Sequence, residues 1–543
     1  MLKTGFLASV ALALLAAGIG RADATDGASG RCSQDLEEFP AAMRAVMRKP
    51  AYQDAVWGLR AVDLDRGRTL LDVNPDCRFY IASVRKVFSV GELLNEVGPE
   101  HRYDTPIHRR GAVSKSGVLN GDLILVASGD LTMGGRTNPD GSIAIGNLDH
   151  NEANSLGNSD LTKPDPLAGY RSLARQVARA GIRRVTGEVI IDDRLFRPYL
   201  FRDEFELRPI FVNDDVVDVA IRPTKAGEPA AVEVRPLSSA LRVKTPIKTR
   251  QRGSTLALSV DPDLPQCIGK PGCSATVAGS VPIDLVPPLT GRFPLVRTVR
   301  IVEPANYART VLIELLRENG VRVDASAVRR NPVSLLPRQR HYPADTKVAE
   351  LKGLPYADSA KLVLKVSYNI GADASLLLFG LTQGVDNMDA ALAKERRVLA
   401  SRYGIGAAQY HFPDGSGGGE SRALNRAVTR MLSVMSRSTA FPAYLDSMPI
   451  LGVDGSLAAV TDFQSDPTLE RATGQVRAKT GTYVDETGTV LKAQALGGYV
   501  TTRAGRRLAF QLVVNNVPIS GIDDVVQVFQ DQGRVSAILW RDH

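Results

Sequence analysis

Ser83-Val84-Arg85-Lys86-Val87-Phe88-Ser89-Val90 begins the stretch on which the reading of this chain turns. From Ser83 to Val97 apolar residues recur at helical spacing (Val84, Val87, Phe88, Leu94), which predicts a helix with Ser83 at its start, where a hydroxyl also suits a cap. At positions i and i+3, Ser83 and Lys86 share one face, so the amine reaches the hydroxyl. A serine hydroxyl is a weak nucleophile until a neighbouring base takes its proton, and Lys86 serves as that base only if burial and a second cation lower its pKa. Taken alone, the pattern is equally a capping serine and a surface lysine.

Two further patterns follow in order. Ser367-Tyr368-Asn369 comes after a helical segment, Ala360–Ser367, and offers a hydroxyl to relay a proton and an amide to hold a substrate peptide. Lys479-Thr480-Gly481, followed by Thr482, opens a strand-forming region. There a substrate peptide can pair with the backbone, Lys479 and Thr480 suit a terminal carboxylate, and Gly481 leaves room for close approach. Each is weak alone. Together, in this order, they match the set found in penicillin-binding proteins and class A β-lactamases. A serine–lysine mechanism needs none of the six histidines.

The interval between Lys86 and Ser367 is long and strand-rich, with short alternating runs at Asp122–Ala127, Val185–Ile191, Val232–Val234 and Leu256–Val260. One helix, Leu167–Ala180, is expected within it, and the polar stretch Gly134–Lys163 reads as a long exposed loop. Outside this interval, strands are expected at Ala55–Asp63, Thr69–Val73, Ala493–Thr501 and Arg507–Asn515. Helices are expected at Asp35–Arg48, Ala305–Asn319, Ala374–Leu381, Met388–Tyr403, Ser421–Ser438 and about Asp523–Leu539. That order implies an α+β fold: an antiparallel sheet with helices on both sides, in residues 25–100 and 301–543, interrupted by a strand-rich region at 101–300 that forms two small domains.

Lys3, the apolar run Phe6–Ile19 and the small residues Ala22-Asp23-Ala24 read as a cleaved signal peptide over residues 1–24, with a membrane anchor as the alternative. Export places the chain in the periplasm or another extracytoplasmic space, with no transmembrane segment in the mature chain, and makes the four cysteines readable as disulfides. Cys267 and Cys273 enclose a short Gly/Pro loop and suit each other, which leaves Cys32 with Cys77, although three pairings are open. No histidine stands near them at ligand spacing, so no metal site and no cofactor are expected. The net charge of +8 would suit peripheral contact with an anionic wall or membrane face, but the charges are scattered, and nothing suggests nucleic acid.

The chain resembles the D-Ala-D-Ala carboxypeptidase/endopeptidase family of class C low-molecular-mass penicillin-binding proteins, peptidase family S13. Further stretches carry the likeness: Gly121-Asp122-Leu123 with Ser128-Gly129-Asp130, Val185 through Asp192-Asp193, Asp414-Gly415-Ser416-Gly417 ahead of Ser421-Arg422, Pro449 through Asp454-Gly455-Ser456-Leu457, and Gly497-Gly498-Tyr499-Val500. The resemblance implies a penicillin-recognising serine transpeptidase-like domain whose Ser83 attacks the D-Ala-D-Ala carbonyl of peptidoglycan stem peptides. The acyl-enzyme formed is then hydrolysed, and β-lactams act as covalent inhibitors. It implies Lys86 as general base, Ser367 and Lys479 as proton shuttles, Asn369 on the substrate backbone, and the N–H groups of Ser83 and Thr482 as oxyanion hole. It also implies Asp192 as partner of the stem peptide's amino group. Three departures stand out: the extra Gly418-Gly419-Glu420, Val460 where the family pattern has an arginine, and a longer Tyr483–Lys492 loop. Two other outputs stay open: a β-lactamase or esterase of the same superfamily, and a wall-binding scaffold without activity. The oligomeric state is not legible.

Overall fold

Along the strand Val56–Asp63 the residues Trp57, Leu59 and Ala61 alternate onto one side, where they are buried in a single apolar core. The same core takes Leu496 and Val500 from Val490–Thr501, Phe510, Leu512 and Val514 from Arg507–Asn515, and Val528, Val535 and Ile538 from the helix Ile522–Asp542. Each large side chain removed from water there contributes roughly 1.5–3 kcal/mol. The strands join in the order Thr69–Val73, Val56–Asp63, Arg507–Asn515, Val490–Thr501, Val476–Val484, all neighbours antiparallel, with the short strand Val517–Pro518 added to Val490–Thr501. On the opposite face lie the turn Ala82–Arg85, which leads into the helix Lys86–Val97, and the helix Asn425–Met435: a Cβ placed on Gly497 would meet Val84 at 2.7 Å and Val428 at 3.2 Å. Helices therefore cover both sides of an antiparallel sheet, as expected of the α+β class.

The structure is a computed structural model and describes residues 32–543 except residue 339. The expected signal peptide, residues 1–24, lies outside the described residues. The chain divides into two compact units, one holding the residues up to Glu100 together with Ala360–His543, the other His101–Ser359. The second unit runs past the expected boundary at residue 300, because Pro304–Glu318 packs on its strand Val189–Asp192 and Lys347–Leu351 pairs with Thr105–Val113. Cys32 is bonded to Cys77 and Cys267 to Cys273.

Several expected elements shift. The first helix is Ala41–Met47 rather than 35–48, beginning after Pro40, whose ring leaves no N–H for an upstream turn. Tyr356–Lys365 stops before Ser367, which has φ +65° and so sits outside any helix. The next helix, Asn369–Thr382, starts earlier than Ala374. Met388–Val398 is α-helical and passes into a wider turn at Leu399–Tyr403. Arg422–Leu424 is a strand paired with Arg78–Tyr80, and helix begins only at Asn425.

In the second unit a sheet is built on Thr105–Val113 and Val118–Val126, which carry Lys347–Leu351, Val189–Asp192, Arg184–Val185 and Arg322–Val323. Two smaller sheets gather residues 216–300. The exposed loop expected at Gly134–Lys163 is not found. That segment contains the short turns His150–Glu152 and Ala153–Leu156 and buries Arg136, Asp149, His150, Asn151 and Asn158. Polarity was misleading here because the polar groups satisfy one another. His150 Nδ1 lies 2.8 Å from Asp218 and Nε2 2.9 Å from Asp214, Arg136 Nε donates to Asp214 at 2.7 Å, and Arg235 Nε donates to Asp218 at 3.2 Å. The network holds three successive non-glycine residues, Asn213, Asp214 and Asp215, at positive φ.

Burial alone would lower the His150 pKa, but Asp218 and then Asp214 outweigh it and raise the value from 6.5 to about 9. A raised folded-state pKa gives stability that is complete below the unfolded value and is lost as pH rises through the folded one. The stability that wild-type protein gains over His150→Gln in the 101–359 unit should therefore shrink by on the order of 3 kcal/mol between pH 6 and pH 9.5. Denaturant unfolding of the intact protein at the two pH values measures it, and an unchanged difference would contradict the charged-imidazole assignment.

Candidate active site

Ser83 stands in a tight turn, Ala82–Arg85, that runs directly into the helix Lys86–Val97. Ala82 adopts φ +44°, an unusual value for a residue with a side chain, so the turn is held in place by its surroundings. Two glycines supply that hold. A Cβ on Gly481 would stand 2.2 Å from the Ile81 carbonyl oxygen, 3.0 Å from Val84 N and 3.2 Å from Ser83 N. One on Gly417 would stand 2.1 Å from the Ala82 carbonyl oxygen. Gly481 is thus required first by the nucleophile turn packed against it, a different reason from the substrate approach expected from sequence. The strand Val476–Val484 is the edge of its sheet; residues 449–451 pair with its first half, through Leu451 N to Val476 O and Ala478 N to Pro449 O, both 3.0 Å.

The three sequence patterns converge. Lys86 Nζ lies 2.5 Å from Ser83 Oγ, 2.6 Å from Asn369 Oδ1 and 3.2 Å from Ser367 Oγ. Lys479 Nζ lies 2.9 Å from the same Ser367 Oγ and donates to the Thr480 carbonyl at 2.6 Å. Ser367 therefore stands between two amines, both of them fully buried. Its φ of +65°, between the ends of two helices, aims the hydroxyl there. Burial, and after it the Lys86 ammonium, holds the Lys479 amine well below the ordinary lysine range. A hydroxyl touching one amine, and joined through a second hydroxyl to another, is an arrangement suited to moving a proton off Ser83.

Thr482 is exposed on the same strand, its Oγ1 3.0 Å from Gln494 Oε1. Thr480 Oγ1 lies 2.8 Å from Ser456 Oγ, a neighbour that sequence reasoning did not single out. The segment bearing Ser456 is fastened to the second motif: Lys365, two residues before Ser367, donates to both oxygens of Asp454 at 2.7 and 2.6 Å. A Cβ on Gly455 would meet the Lys365 carbonyl oxygen at 2.6 Å. The Asp454-Gly455-Ser456 run was visible as a shared motif, but nothing in it announced a link to Ser367. Asp192 lies in the other unit, at the end of Val189–Asp192. Its carboxylate is fully buried, taking Arg194 Nε at 2.8 Å and the Tyr342 hydroxyl at 2.5 Å, so a substrate amine would have to displace one of them. Among the described residues no group of histidine, cysteine, aspartate and glutamate side chains is arranged to hold a metal ion.

Comparison with known proteins places the chain in a family. The family model described as D-Ala-D-Ala carboxypeptidase 3 (S13) matches residues 40–532. A D-alanyl-D-alanine carboxypeptidase of Actinomadura sp. (strain R39) is 26% identical over 532 residues, covering 92% of this chain and 84% of that one. In structure the chain is similar to penicillin binding protein 4 of Haemophilus influenzae, with a TM-score of 0.65 and 17% identity over 92% of this chain and 99% of that one. It is also similar to the form of that protein complexed with a β-lactam, with a TM-score of 0.63 at the same identity and coverage.

The packing of Gly481 gives a direct test. Gly481→Ala sets a methyl group against backbone atoms that cannot yield without moving Ser83, and should slow acyl transfer from a small activated thioester by about 100-fold or more. Thioester turnover with circular dichroism as the folding control measures this; a folded variant of unchanged rate would show that the turn is free to shift.

Proposed function

The chain belongs to the D-Ala-D-Ala carboxypeptidase 3 (S13) family and is a serine carboxypeptidase; from that premise we propose that Ser83 is the nucleophile that opens D-Ala-D-Ala peptides of peptidoglycan through an acyl-enzyme. The observation that carries the proposal is Ser367 Oγ, 3.2 Å from the amine beside Ser83 and 2.9 Å from Lys479. Burial and the Lys86 ammonium hold the Lys479 amine low, so positive charge on both amines at once is disfavoured. When a proton rests on Lys479, Lys86 can take the proton of the Ser83 hydroxyl beside it. A peptide's terminal carboxylate near Lys479 and Thr480 favours that state, because an anion stabilises the charged amine.

In this reading Ser83 Oγ bonds to the penultimate D-alanine carbonyl carbon while its proton passes to Lys86. The N–H groups of Ser83 and Thr482 receive the oxyanion, a contribution commonly worth about 3–4 kcal/mol. Ser367 then hands its proton to the leaving amine as the C–N bond breaks, releasing D-alanine, and is reprotonated by Lys86, which gives up the proton it took from Ser83. Water attacks the remaining ester, Lys86 takes its proton, and that proton returns to Ser83 Oγ as the ester C–O bond breaks. Asn369, 2.6 Å from Lys86, orients that amine and offers its amide to the substrate backbone. The same steps cut a cross-link in which D-alanine is joined to the amine of another stem, which is endopeptidase activity. A β-lactam carries an amide and a carboxylate in equivalent places and acylates the same serine; the β-lactam complex known for the Haemophilus protein supports this. The unit 101–359 is taken as the insertion that interrupts the catalytic domain, and the two disulfides suit an oxidising, extracytoplasmic compartment.

A fluorescent penicillin should label the wild-type protein, with the adduct on the peptide containing Ser83 by mass spectrometry. Ser83→Ala should take no label, and Ser367→Ala should acylate more slowly by about 100-fold. Stem pentapeptides should release D-alanine, and a stable adduct marks a penicillin-binding protein where rapid loss marks a β-lactamase. Labelling of Ser83→Ala would remove Ser83 as nucleophile.

A further inference from the structure

Between Ser83 and Lys86 stands a residue that the proposed chemistry does not use. The Arg85 side chain is 0% exposed, and it points into the protein interior. Its Nε donates to the Asp414 carbonyl at 2.8 Å, and its Nη2 lies 2.7 Å from both oxygens of Glu395 on the helix Met388–Val398. The guanidinium is 4.3 Å from the centre of the Phe412 ring, which packs on Phe88 of the nucleophile helix at 4.9 Å.

What Arg85 grips is the turn Asp414-Gly415-Ser416-Gly417, and that turn touches the elements that carry the first two sequence patterns. The Asp414 carboxylate accepts from the N–H groups of Ser416 and Gly417 at 3.0 and 2.7 Å. Gly417 packs against the Ala82 carbonyl so closely that no Cβ fits. The Gly415 carbonyl takes the Ser89 hydroxyl at 2.7 Å, and Gly415 N–H donates to Asp373, on the helix that begins at Asn369, at 2.7 Å. One turn is thus tied to the strained nucleophile turn, to its helix and to the helix of the second motif.

We propose that Arg85 is a positioning residue, which with Glu395 locks the strained Ala82–Ser83 turn onto the Asp414–Gly417 turn and so sets Ser83 Oγ against Lys86. The inference rests on the reading of Ser83 as nucleophile. The charge balance fits. Glu92, from the helix Lys86–Val97, is 2% exposed. Burial first, and then the Glu395 charge, pushes the Glu92 carboxyl well above the ordinary range, so it keeps its proton. One guanidinium then faces one carboxylate, and the third group adds no second charge. A planar fork is needed because two acceptors, Asp414 O and Glu395, must be met at once; a lysine supplies charge without that geometry.

The test separates binding of a reporter penicillin from the acylation step by stopped-flow measurement. Arg85→Lys and Glu395→Gln should acylate between about 10- and 100-fold more slowly, with the dissociation constant of the non-covalent complex changed by less than about threefold. Glu92→Gln, a neutral hydrogen-bonding replacement for a neutral carboxyl, should stay within about threefold of wild type in both. Thermal melting is recorded for each; if Arg85→Met fails to fold, Arg85→Lys and Glu395→Gln still decide. Acylation at the wild-type rate by folded Arg85→Lys, or a loss that falls on binding alone, would overturn the assignment. Wild-type protein run alongside separates two failures. An unlabelled wild type removes the nucleophile reading and this inference with it, whereas a labelled wild type with an equally fast Arg85→Lys removes this inference alone.

Discussion

Two lysine amines share one serine hydroxyl, and neither amine is open to water. Removing an ammonium from solvent costs several kcal/mol, and burial, with the Lys86 ammonium after it, holds the Lys479 amine well below the ordinary lysine range. Everything else at the site serves that condition. The edge strand brings Lys479 in from the sheet, the nucleophile helix brings Lys86, and Ser367 meets both from a backbone conformation that an ordinary helix would not permit.

Close backbone contact takes the place of flexibility around this centre. Gly481 and Gly417 flank the nucleophile turn with no room for even a methyl group, and the left-handed conformations of Ala82 and Ser367 lie within two residues of reacting atoms. Strain of that kind costs on the order of 1–3 kcal/mol per residue and persists only where neighbours over-determine the geometry. The turn Asp414–Gly417, the Asp454–Lys365 pair and the Ser456–Thr480 contact are those neighbours, each from a different part of the chain.

How much of this could be read in advance follows a physical line. The order of the Ser83, Ser367 and Lys479 patterns picked out residues that the fold brings together, because each pattern is a short local spacing. The strands Val56–Asp63 and Arg507–Asn515 were legible because apolar residues in a sheet repeat with a fixed period. The loop expected at Gly134–Lys163 was misread because composition shows polarity and not partnership, and His150 between Asp214 and Asp218 is polar and buried at once. Arg85 was passed over for the same reason: an arginine next to Lys86 looks like surface until Glu395, more than three hundred residues later, is placed beneath it. The end of the interrupting unit at Ser359 was not visible, since the strand Lys347–Leu351 belongs to it by pairing and not by texture.

The strand order has a consequence for how such a molecule comes into being. Val56–Asp63, near the start of the chain, is flanked on one side by Thr69–Val73 and on the other by Arg507–Asn515. As the polypeptide is made, Val56–Asp63 has one hairpin neighbour, and its other edge stays unpaired until Arg507–Asn515 follows. The residues 101–359 that separate them can collapse on their own contacts while this half-built sheet waits. Ser83 is therefore synthesised long before Lys479, and the two stand together only after the strand Val476–Val484 has been made and has joined the sheet.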